Sequence, residues 1–303
     1  MKETAMLTAI TLNERAVLAL DGAQARDFLH GLISADIARL QPDTAIYTTL
    51  LTPQGRVLFD FFLAQTGSRI LIDCDRSRRD ELAAKLTFYR LRADVSIKAV
   101  DDLAVSVLFG PGTLDVLGCA DRPGAAVAQK GGVLYVDPRR AELGGRAILP
   151  IDHFGALLSA LDVHHGEIAD YQRHRLALGV PDGARDIAIG KDYLLECGLD
   201  ALNAVDFDKG CYIGQELTAR THFRGTVRRH LVPVKIDGPA PPFGTPVLLG
   251  ATQAGEMRSS ADGRGLAMLK ARHLETARTE NQVFTAGEAH LKPLIDAAPD
   301  SGS

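Results

Sequence analysis

Residues 45–75, AIYTTLLTPQGRVLFDFFLAQTGSRILIDCD, decide what kind of layer this chain builds. Apolar and β-branched runs alternate with turn residues at 53–55 (Pro-Gln-Gly) and at 66–68 (Thr-Gly-Ser), which predicts two or three strands joined by short turns. Asp60 stands inside one apolar run, VLFDFFL. Its carboxylate therefore either faces solvent or lines a cavity, and a cavity would raise its pKa.

The segments on either side of this stretch extend the same layer. Residues 14–22, ERAVLALDG, predict a strand that ends in a turn, and residues 23–40 carry apolar side chains at helical spacing. A second helix is predicted over 75–91, followed by strands over 93–110. The order strand, helix, strands, helix, strand is typical of an α+β fold and not of a doubly wound sheet.

The pattern changes after about residue 226, where short apolar runs are separated by turn residues. Such a pattern is typical of a small antiparallel β-barrel or sandwich. We therefore expect an α+β core of two intertwined lobes over residues 1–225 and a C-terminal barrel over 226–295. Residues 296–303 are expected to form a disordered tail.

Composition narrows the class of protein. The chain has 303 residues, 46% of them hydrophobic, and a formal net charge of −4, so it has no overall basic field for nucleic acid. It has no apolar run of about 18 residues, and Glu3 and Glu14 argue against a transit peptide. We expect a cytoplasmic monomer without membrane contact. No metal site is expected, because HHGE at 164–167 lacks further ligands at metal spacing.

The stretch most suggestive of chemistry is DKGCYIGQE, residues 208–216. We expect a helix after it, with Cys211 at or just before the first turn, where unpaired N–H groups and the helix dipole favour a thiolate. Lys209 would lower the pKa of the thiol further, and Gly210 and Gly214 would admit a close neighbour. The alternative is an ordinary turn whose cysteine is buried.

A basic stretch follows the cysteine. Residues 209–230 contain five lysine or arginine residues and one acid, Glu216. The five are Lys209, Arg220, Arg224, Arg228 and Arg229. Such a cluster suits a polyanionic ligand, namely a phosphate, a polyglutamate tail or RNA; the alternative is a solvated charged face.

With these residues described, the chain resembles the YgfZ family, which is related to the T-protein (aminomethyltransferase) of the glycine cleavage system. KGCYIGQE matches the family signature K-G-C-[FY]-[IVT]-G-Q-E at every position. Weaker similarity covers about residues 10–270 and includes FLHGLISADI, LLTPQGRVLFDFFL, FYRLRADV and RGTVRRHLVPV. The resemblance implies three lobes around a channel for tetrahydrofolate. It also implies a role in assembling or maintaining iron–sulfur clusters in enzymes, including enzymes that thiolate tRNA.

The resemblance also implies roles for individual residues. Lys209 and Cys211 take the family's lysine and cysteine, and Asp60 is the candidate for the catalytic aspartate of the T-protein. The residues implied to contact the folate are Glu196, Gly210, Tyr212, Gly214, Gln215, Glu216, Arg220 and Arg228. The chain departs from the T-protein by having Phe59 before Asp60, where that protein has a pair of aspartates. It also has Ala177 where that protein reads the pterin with a glutamate.

These observations predict a folate-binding accessory factor that assembles, inserts or repairs iron–sulfur clusters. Its partners would be folate and either client enzymes or assembly proteins. One alternative is a folate-dependent one-carbon transferase of the aminomethyl type, with Asp60 in acid–base chemistry. Another is a tRNA-modification accessory protein that contacts RNA through its arginines, which the acidic overall charge and the scarcity of aromatic residues do not favour.

Overall fold

The computed structural model describes residues 6–159, 163–225 and 227–294. The chain divides into two compact units, one made of Met1–Ile168 with Leu199–Leu217 and the other of Ala169–Gly198 with Thr218–Ser303. The predicted tail at 296–303 lies outside the described residues. The expected domain boundary between residues 225 and 226 stays a prediction.

The first unit contains a five-stranded antiparallel sheet in the order β3-β4-β5-β2-β6. Its strands are β2 (Arg15–Asp21), β3 (Ile46–Leu51), β4 (Val57–Thr66), β5 (Arg69–Asp75) and β6 (Ser96–Val100). Two helices accompany it, α1 (Ala25–His30) and α2 (Arg79–Arg90). Leu29 of α1 and Leu82 and Leu86 of α2 pack into one apolar core with the strands. The strands predicted from residues 45–75 are therefore confirmed.

The same unit contains a six-stranded sheet in the order β11-β1-β7-β10-β9-β8. The strands are β1 (Thr8–Thr11), β7 (Leu103–Phe109), β8 (Ala126–Gln129), β9 (Gly132–Val136), β10 (Gly145–Pro150) and β11 (His164–His165). The pairing of β1 with β11 is parallel, and the other pairings are antiparallel. Helices α3 (Thr113–Leu117) and α4 (Ile151–Leu158) accompany it, and Leu117, Phe154 and Leu158 fill a second apolar core.

The single helix predicted over residues 23–40 is wrong beyond His30. Helix α1 ends there, Ile33 forms an isolated bridge to Leu50, and the N–H of Ser34 donates to the carbonyl of Thr49 at 3.0 Å. Only a short 3-10 turn, Ile37–Arg39, follows. Pairing with β3 therefore replaces helical hydrogen bonds in the second half of the segment.

The second unit contains a closed, six-stranded antiparallel barrel in the order β12-β15-β14-β13-β16-β17. Its strands are β12 (Arg229–Asp237), β13 (Pro246–Leu249), β14 (Thr252–Ala261), β15 (Arg264–Lys270), β16 (Phe284–Ala286) and β17 (Ala289–Pro293). Along β12, Val232, Val234 and Ile236 enter the core, and Lys235 and Asp237, on either side of Ile236, are exposed. This alternation is typical of a strand with one face in a core.

The remaining helices are α5 (Ile168–Ala177), α6 (Gly183–Asp186), α7 (Gln215–Arg224) and α8 (Ala271–Thr279). Residues 187–214 between α6 and α7 contain no helix or strand. Mixed α/β sheets followed by a barrel confirm the predicted α+β class.

Candidate functional site

Cys211 lies on an irregular segment of the first unit, and helix α7 begins four residues after it at Gln215. The thiol is exposed, so the alternative of a buried turn cysteine is excluded. Cys74 and Cys197 are buried and Cys119 is half-buried. Burial raises the pKa of all three, that of Cys74 to about 12, so they are held as neutral thiols. Cys211 is the cysteine that an outside reactant reaches.

Lys209 anchors one end of the segment. Its Nζ donates to the backbone carbonyls of His30 at 2.7 Å, Ile33 at 2.7 Å and Ala35 at 3.0 Å. An ammonium has three N–H groups, so all of its donors are used. His30 is the last residue of α1, where the helix dipole favours a cation. Sequence reasoning placed this charge beside a thiol or an anion, but its donors are directed at the backbone.

Two carboxylates support this anchor. Burial lowers the pKa of Lys209 to about 8, and Asp36 and Asp206 act in the opposite direction. Asp206 accepts a hydrogen bond from the backbone N–H of Asp36 at 2.6 Å and forms an ion pair with Arg39 at 3.0 Å. The segment before Cys211 is thus tied to the turn after α1. Sequence reasoning missed both aspartates, although Asp36 ahead of a short helical turn, Ile37–Arg39, was a readable capping signal.

Gly214 anchors the other end of the segment against the turn between β3 and β4. Its φ is +84°, and an added Cβ would lie 2.5 Å from the carbonyl oxygen of Thr52 and 2.8 Å from Cβ of Leu51. Only glycine fits this backbone approach. Between the anchors, the Tyr212 N–H donates to the Gln215 side chain at 3.1 Å, and the Lys209 ammonium lies 5.0 Å from the Tyr212 ring centroid.

Polar side chains from other elements lie close to this segment or follow it along the chain. Gly210 is exposed, and a Cβ built there would lie 3.4 Å from Nε2 of His30. Nδ1 of that imidazole is 3.5 Å from Asp36. Glu216 is exposed at the start of α7. Cys211 is therefore held in a fixed backbone path, directly after the glycine that His30 approaches.

Asp60 lies on β4 of the same unit, opposite Thr49 of β3, and is half-buried. The Tyr47 hydroxyl donates to its Oδ2 at 3.0 Å. Burial and the neighbouring carboxylate raise the pKa of Tyr47 well above its usual range, so the phenol stays protonated and donates. A half-buried carboxylate supported by the Tyr47 hydroxyl is of a type that accepts hydrogen bonds from a polar ligand.

The first unit also contains a buried charge network that sequence reasoning did not find. It consists of Arg15, Asp73, Asp137, Arg139 and Arg146. Arg15 and Arg146 pair with Asp73 at 2.6 and 2.5 Å, and Arg139 pairs with Asp137 at 2.8 Å. The Arg146 guanidinium also covers the ring of Phe62 at 4.0 Å. Burial alone would raise the pKa of Asp137, but Arg139 and Arg146 outweigh it and lower that pKa.

The other predicted ligand-binding residues lie in the second unit. Both oxygens of Glu196 accept hydrogen bonds from Arg229, at 3.1 and 2.5 Å, and Arg229 also pairs with Asp192 at 3.2 Å. This ion pair removes Arg229 from the predicted basic cluster. Arg220 and Arg228 are exposed, on α7 and just before β12.

The described residues contain no group of three or more histidine, cysteine, aspartate or glutamate side chains placed to hold a metal ion. Within the same ranges, no helix is both long and apolar enough to cross a membrane.

The fold is that of the glycine cleavage T-protein. The crystal structure of glycine cleavage system aminomethyltransferase T from Bartonella henselae superposes with a TM-score of 0.79 and covers 97% of this chain and 86% of that chain. Sequence identity is 16%, so this likeness defines the fold alone. The fold and the anchored, exposed cysteine together define the class as a T-protein-like protein with a thiol segment.

Sequence comparison identifies the family within this class. The family model "CAF17, C-terminal beta-barrel domain" matches residues 228–299. The human mitochondrial iron-sulfur cluster assembly factor IBA57 is 37% identical over 279 residues, covering 85% of this chain and 76% of the relative. The mouse protein of the same name is 32% identical and covers 97% and 85%. The chain belongs to the IBA57/CAF17 (YgfZ) family, which confirms the resemblance.

The comparison corrects one prediction. The sequence predicted a cytoplasmic protein, but the human and mouse relatives are named as mitochondrial proteins, and so is the relative from Pyricularia oryzae. The cytoplasmic prediction is therefore wrong. The prediction rested on Glu3 and Glu14, which argue against a transit peptide, and on the absence of a long apolar run.

Proposed function

We propose that this protein is a folate-binding accessory factor that assembles, inserts or repairs iron–sulfur clusters in client enzymes through the thiol of Cys211. One observation carries the proposal: Cys211 is the exposed cysteine, on a segment anchored at Lys209 and at Gly214. Evolved sites hold a reacting group in a fixed position by such supports. The names of the relatives as iron-sulfur cluster assembly factors support the assignment.

A cluster would be cargo for this protein and not a resident cofactor. Iron–sulfur clusters are usually held by four cysteine thiolates, and Cys211 supplies one. The other three cysteines are buried or half-buried with raised pKa values. The remaining ligands therefore come from an assembly protein, a client enzyme or a small thiol. In this proposal Cys211 holds the cluster transiently while it passes between two proteins.

Tetrahydrofolate is the proposed small-molecule ligand, and the residues differ in how well they fit it. A pterin presents N–H donors, which a carboxylate accepts. Asp60 is half-buried and its Oδ2 has a donor in Tyr47, so it fits this role. Glu196 fits less well, because it is buried and Arg229 donates to both of its oxygens. When bound, the folate would supply one-carbon or redox chemistry of its ring.

Complementation tests the role of the thiol. Cys211→Ser should fail to restore the activity of an iron–sulfur enzyme in a strain that lacks this protein, at normal cellular levels of the variant. Cys119→Ser is the matched control, because it removes a half-buried thiol, and it should restore activity fully. Equal rescue by both variants would remove the Cys211 thiol from the mechanism.

Titration calorimetry with tetrahydrofolate tests the ligand. The wild-type protein should bind it, and Asp60→Asn should weaken binding at least tenfold by removing the charged acceptor. Glu196→Gln should bind nearly normally. A half-buried Asp60 also fits the alternative of one-carbon transfer. Transfer of a one-carbon unit between tetrahydrofolate and an amine, lost in Asp60→Asn, would favour that alternative over the accessory role.

A further inference from the structure

An exposed apolar pair stands at the C-terminal end of α2, in the first unit. Phe88 is 72% exposed, and Leu91, directly after the helix, is 86% exposed. The two are three residues apart, Phe88 in the last turn of α2 and Leu91 at the residue that ends it. The opposite side of α2 buries Leu82 and Leu86 in the core. Phe88 and Leu91 therefore contribute little to packing.

The backbone of Leu91 adds a second, independent observation. Its φ is +49° and its ψ is −108°, a conformation that L-residues other than glycine rarely adopt. Helices commonly end with glycine at a left-handed position, because glycine has no Cβ to strain. Leucine here costs stability and presents a large apolar side chain to solvent. Such an outlier points to a function outside folding.

The surroundings of the pair are basic. Residues 85–92, KLTFYRLR, contain Lys85, Arg90 and Arg92 and no acid, and exposed acids lie on either side of β6, at Asp94 and at 101–102. Arg90 and Arg92 are exposed. The ammonium of Lys85 lies 6.0 Å from the Phe88 ring centroid. A ligand for this surface would therefore need one large apolar group and negative charge around it.

An open sheet edge adjoins the pair. Helix α2 packs on β2 and β6, and the guanidinium of Arg90 donates to the carbonyl of Val95, just before β6. Among the described residues β6 pairs with β2 alone, so its other side is an edge of the sheet. Lys98 on this strand is exposed. Edge strands of this kind accept an added strand from a partner through main-chain hydrogen bonds.

We propose that Phe88, Leu91 and the outer edge of β6 form a docking surface for an extended, acidic segment of a partner protein that carries a large apolar side chain. The partner's backbone would pair with Ser96–Val100, its apolar side chain would cover Phe88 and Leu91, and its carboxylates would meet the basic residues. This surface shares no residue with the segment that carries Cys211. Three other occupants fit it less well.

A second copy of this chain that paired antiparallel about Lys98 would place Lys98 against Lys98 and Asp94 against Asp102, and like charges on paired strands repel. Anchoring to a lipid surface needs more apolar area than two side chains provide. Single-stranded RNA needs a series of exposed rings for stacking, and Phe88 is one ring with a half-buried tyrosine, Tyr89, beside it. An acidic, apolar protein segment is the occupant that uses all three features.

The test is selection of random twelve-residue peptides displayed on phage against the whole protein. Enriched sequences should combine two or more acids with a Phe, Leu or Trp. The best of them, as a synthetic peptide, should protect the amides of 96–100 from hydrogen exchange and bind more weakly at higher salt. Phe88→Ser and Leu91→Gly should each weaken this binding at least tenfold.

Leu91→Gly separates binding from folding, because it should leave the melting temperature unchanged or raise it while weakening binding at least tenfold. Ile151→Ser, which removes a 60% exposed side chain at the start of α4, is the matched control and should bind normally. The proposal fails if no peptide is enriched, if the peptides lack acids, or if protection maps outside β6. It also fails if the protein binds anionic phospholipid vesicles or RNA, or forms a dimer, and Leu91→Gly abolishes that binding or dimer.

Discussion

Lys209 shows how a residue next to the reactive group can act through the backbone. Replacing it with methionine keeps the length of the side chain and leaves three carbonyls, those of His30, Ile33 and Ala35, without their donor. Because the site is half-buried, Lys209→Met should lower the free energy of unfolding by about 1–3 kcal/mol. Urea unfolding followed by far-ultraviolet circular dichroism suits a chain that has no tryptophan.

Lys235→Met is the control for this measurement, because Lys235 is an exposed lysine on β12. It should change stability by less than about 0.5 kcal/mol. A loss from Lys209→Met as small as that of the control would show that the three hydrogen bonds do not anchor the segment.

The pH dependence of stability gives a separate prediction for the same residue. The pKa of Lys209 falls from 10.5 to about 8 on folding, chiefly because of burial. Between these two values the unfolded chain binds more protons than the folded chain, so this group adds to the free energy of unfolding as pH rises. The difference in stability between wild type and Lys209→Met should therefore widen from pH 7 to pH 9.5. If the difference in stability narrowed instead, the pKa of Lys209 would be raised on folding, because its hydrogen bonds to the three carbonyls would outweigh burial.

The partners of Lys209 also show what a sequence withholds at this scale. The motif predicted that Lys209 and Cys211 matter, but the carbonyls that bind the ammonium are 174 to 179 residues away along the chain. Backbone carbonyls carry no sequence signal, because every residue has one. Likewise, nothing in the letters around Glu196 announced that Arg229 would occupy its carboxylate.

At the scale of elements, the contact between the thiol segment and the β3–β4 turn predicts a strong effect of Gly214→Ala. The substitution combines a left-handed backbone with a clash against the Thr52 carbonyl at 2.5 Å. We expect a loss of about 3 kcal/mol. Because the turn must move, Cys211 should also react faster with iodoacetamide, as its segment loosens.

Gly67→Ala is the matched variant, since Gly67 has a φ of +59° and no atom within 4 Å of an added Cβ. It isolates the backbone cost, about 1 kcal/mol, and should leave the alkylation rate of Cys211 unchanged. Equal losses in the two variants would contradict the anchoring role of the Thr52 contact.

Elements themselves were predictable where apolar runs are bounded by turn residues. Residues 14–22 and 45–75 were found because their strands are such runs and are mostly buried, and the barrel strands were found because turn residues separate short apolar runs. The segment 23–40 failed because Leu32, Ile33 and Ile37 fit a helical stripe equally well when they pack beside a strand. Apolar spacing alone does not distinguish these outcomes; the bridge from Ile33 to Leu50 does.

At the scale of the whole molecule, the first unit depends on a charge shared between its two sheets. Asp73 lies on β5 of the five-stranded sheet and receives Arg15 of β2 and Arg146 of β10, which belongs to the six-stranded sheet. Asp73 is fully buried, and both arginines are nearly so. The sequence does not reveal this ion-pair joint between the two sheets, because isolated charges in strands are equally typical of solvent-facing positions.

Asp73→Asn tests the joint. It keeps the shape of the side chain but leaves two buried guanidinium groups without their shared anion, so we expect a loss of about 3–5 kcal/mol in the free energy of unfolding. Asp21→Asn, whose partner Arg69 lies at 3.4 Å on the surface, should cost less than about 1 kcal/mol. Arg15→Met should cost less than Asp73→Asn, because Arg146 still pairs with the aspartate. If Asp73→Asn were as mild as Asp21→Asn, the apolar cores would suffice to join the sheets, and the buried network would owe its place to something other than stability.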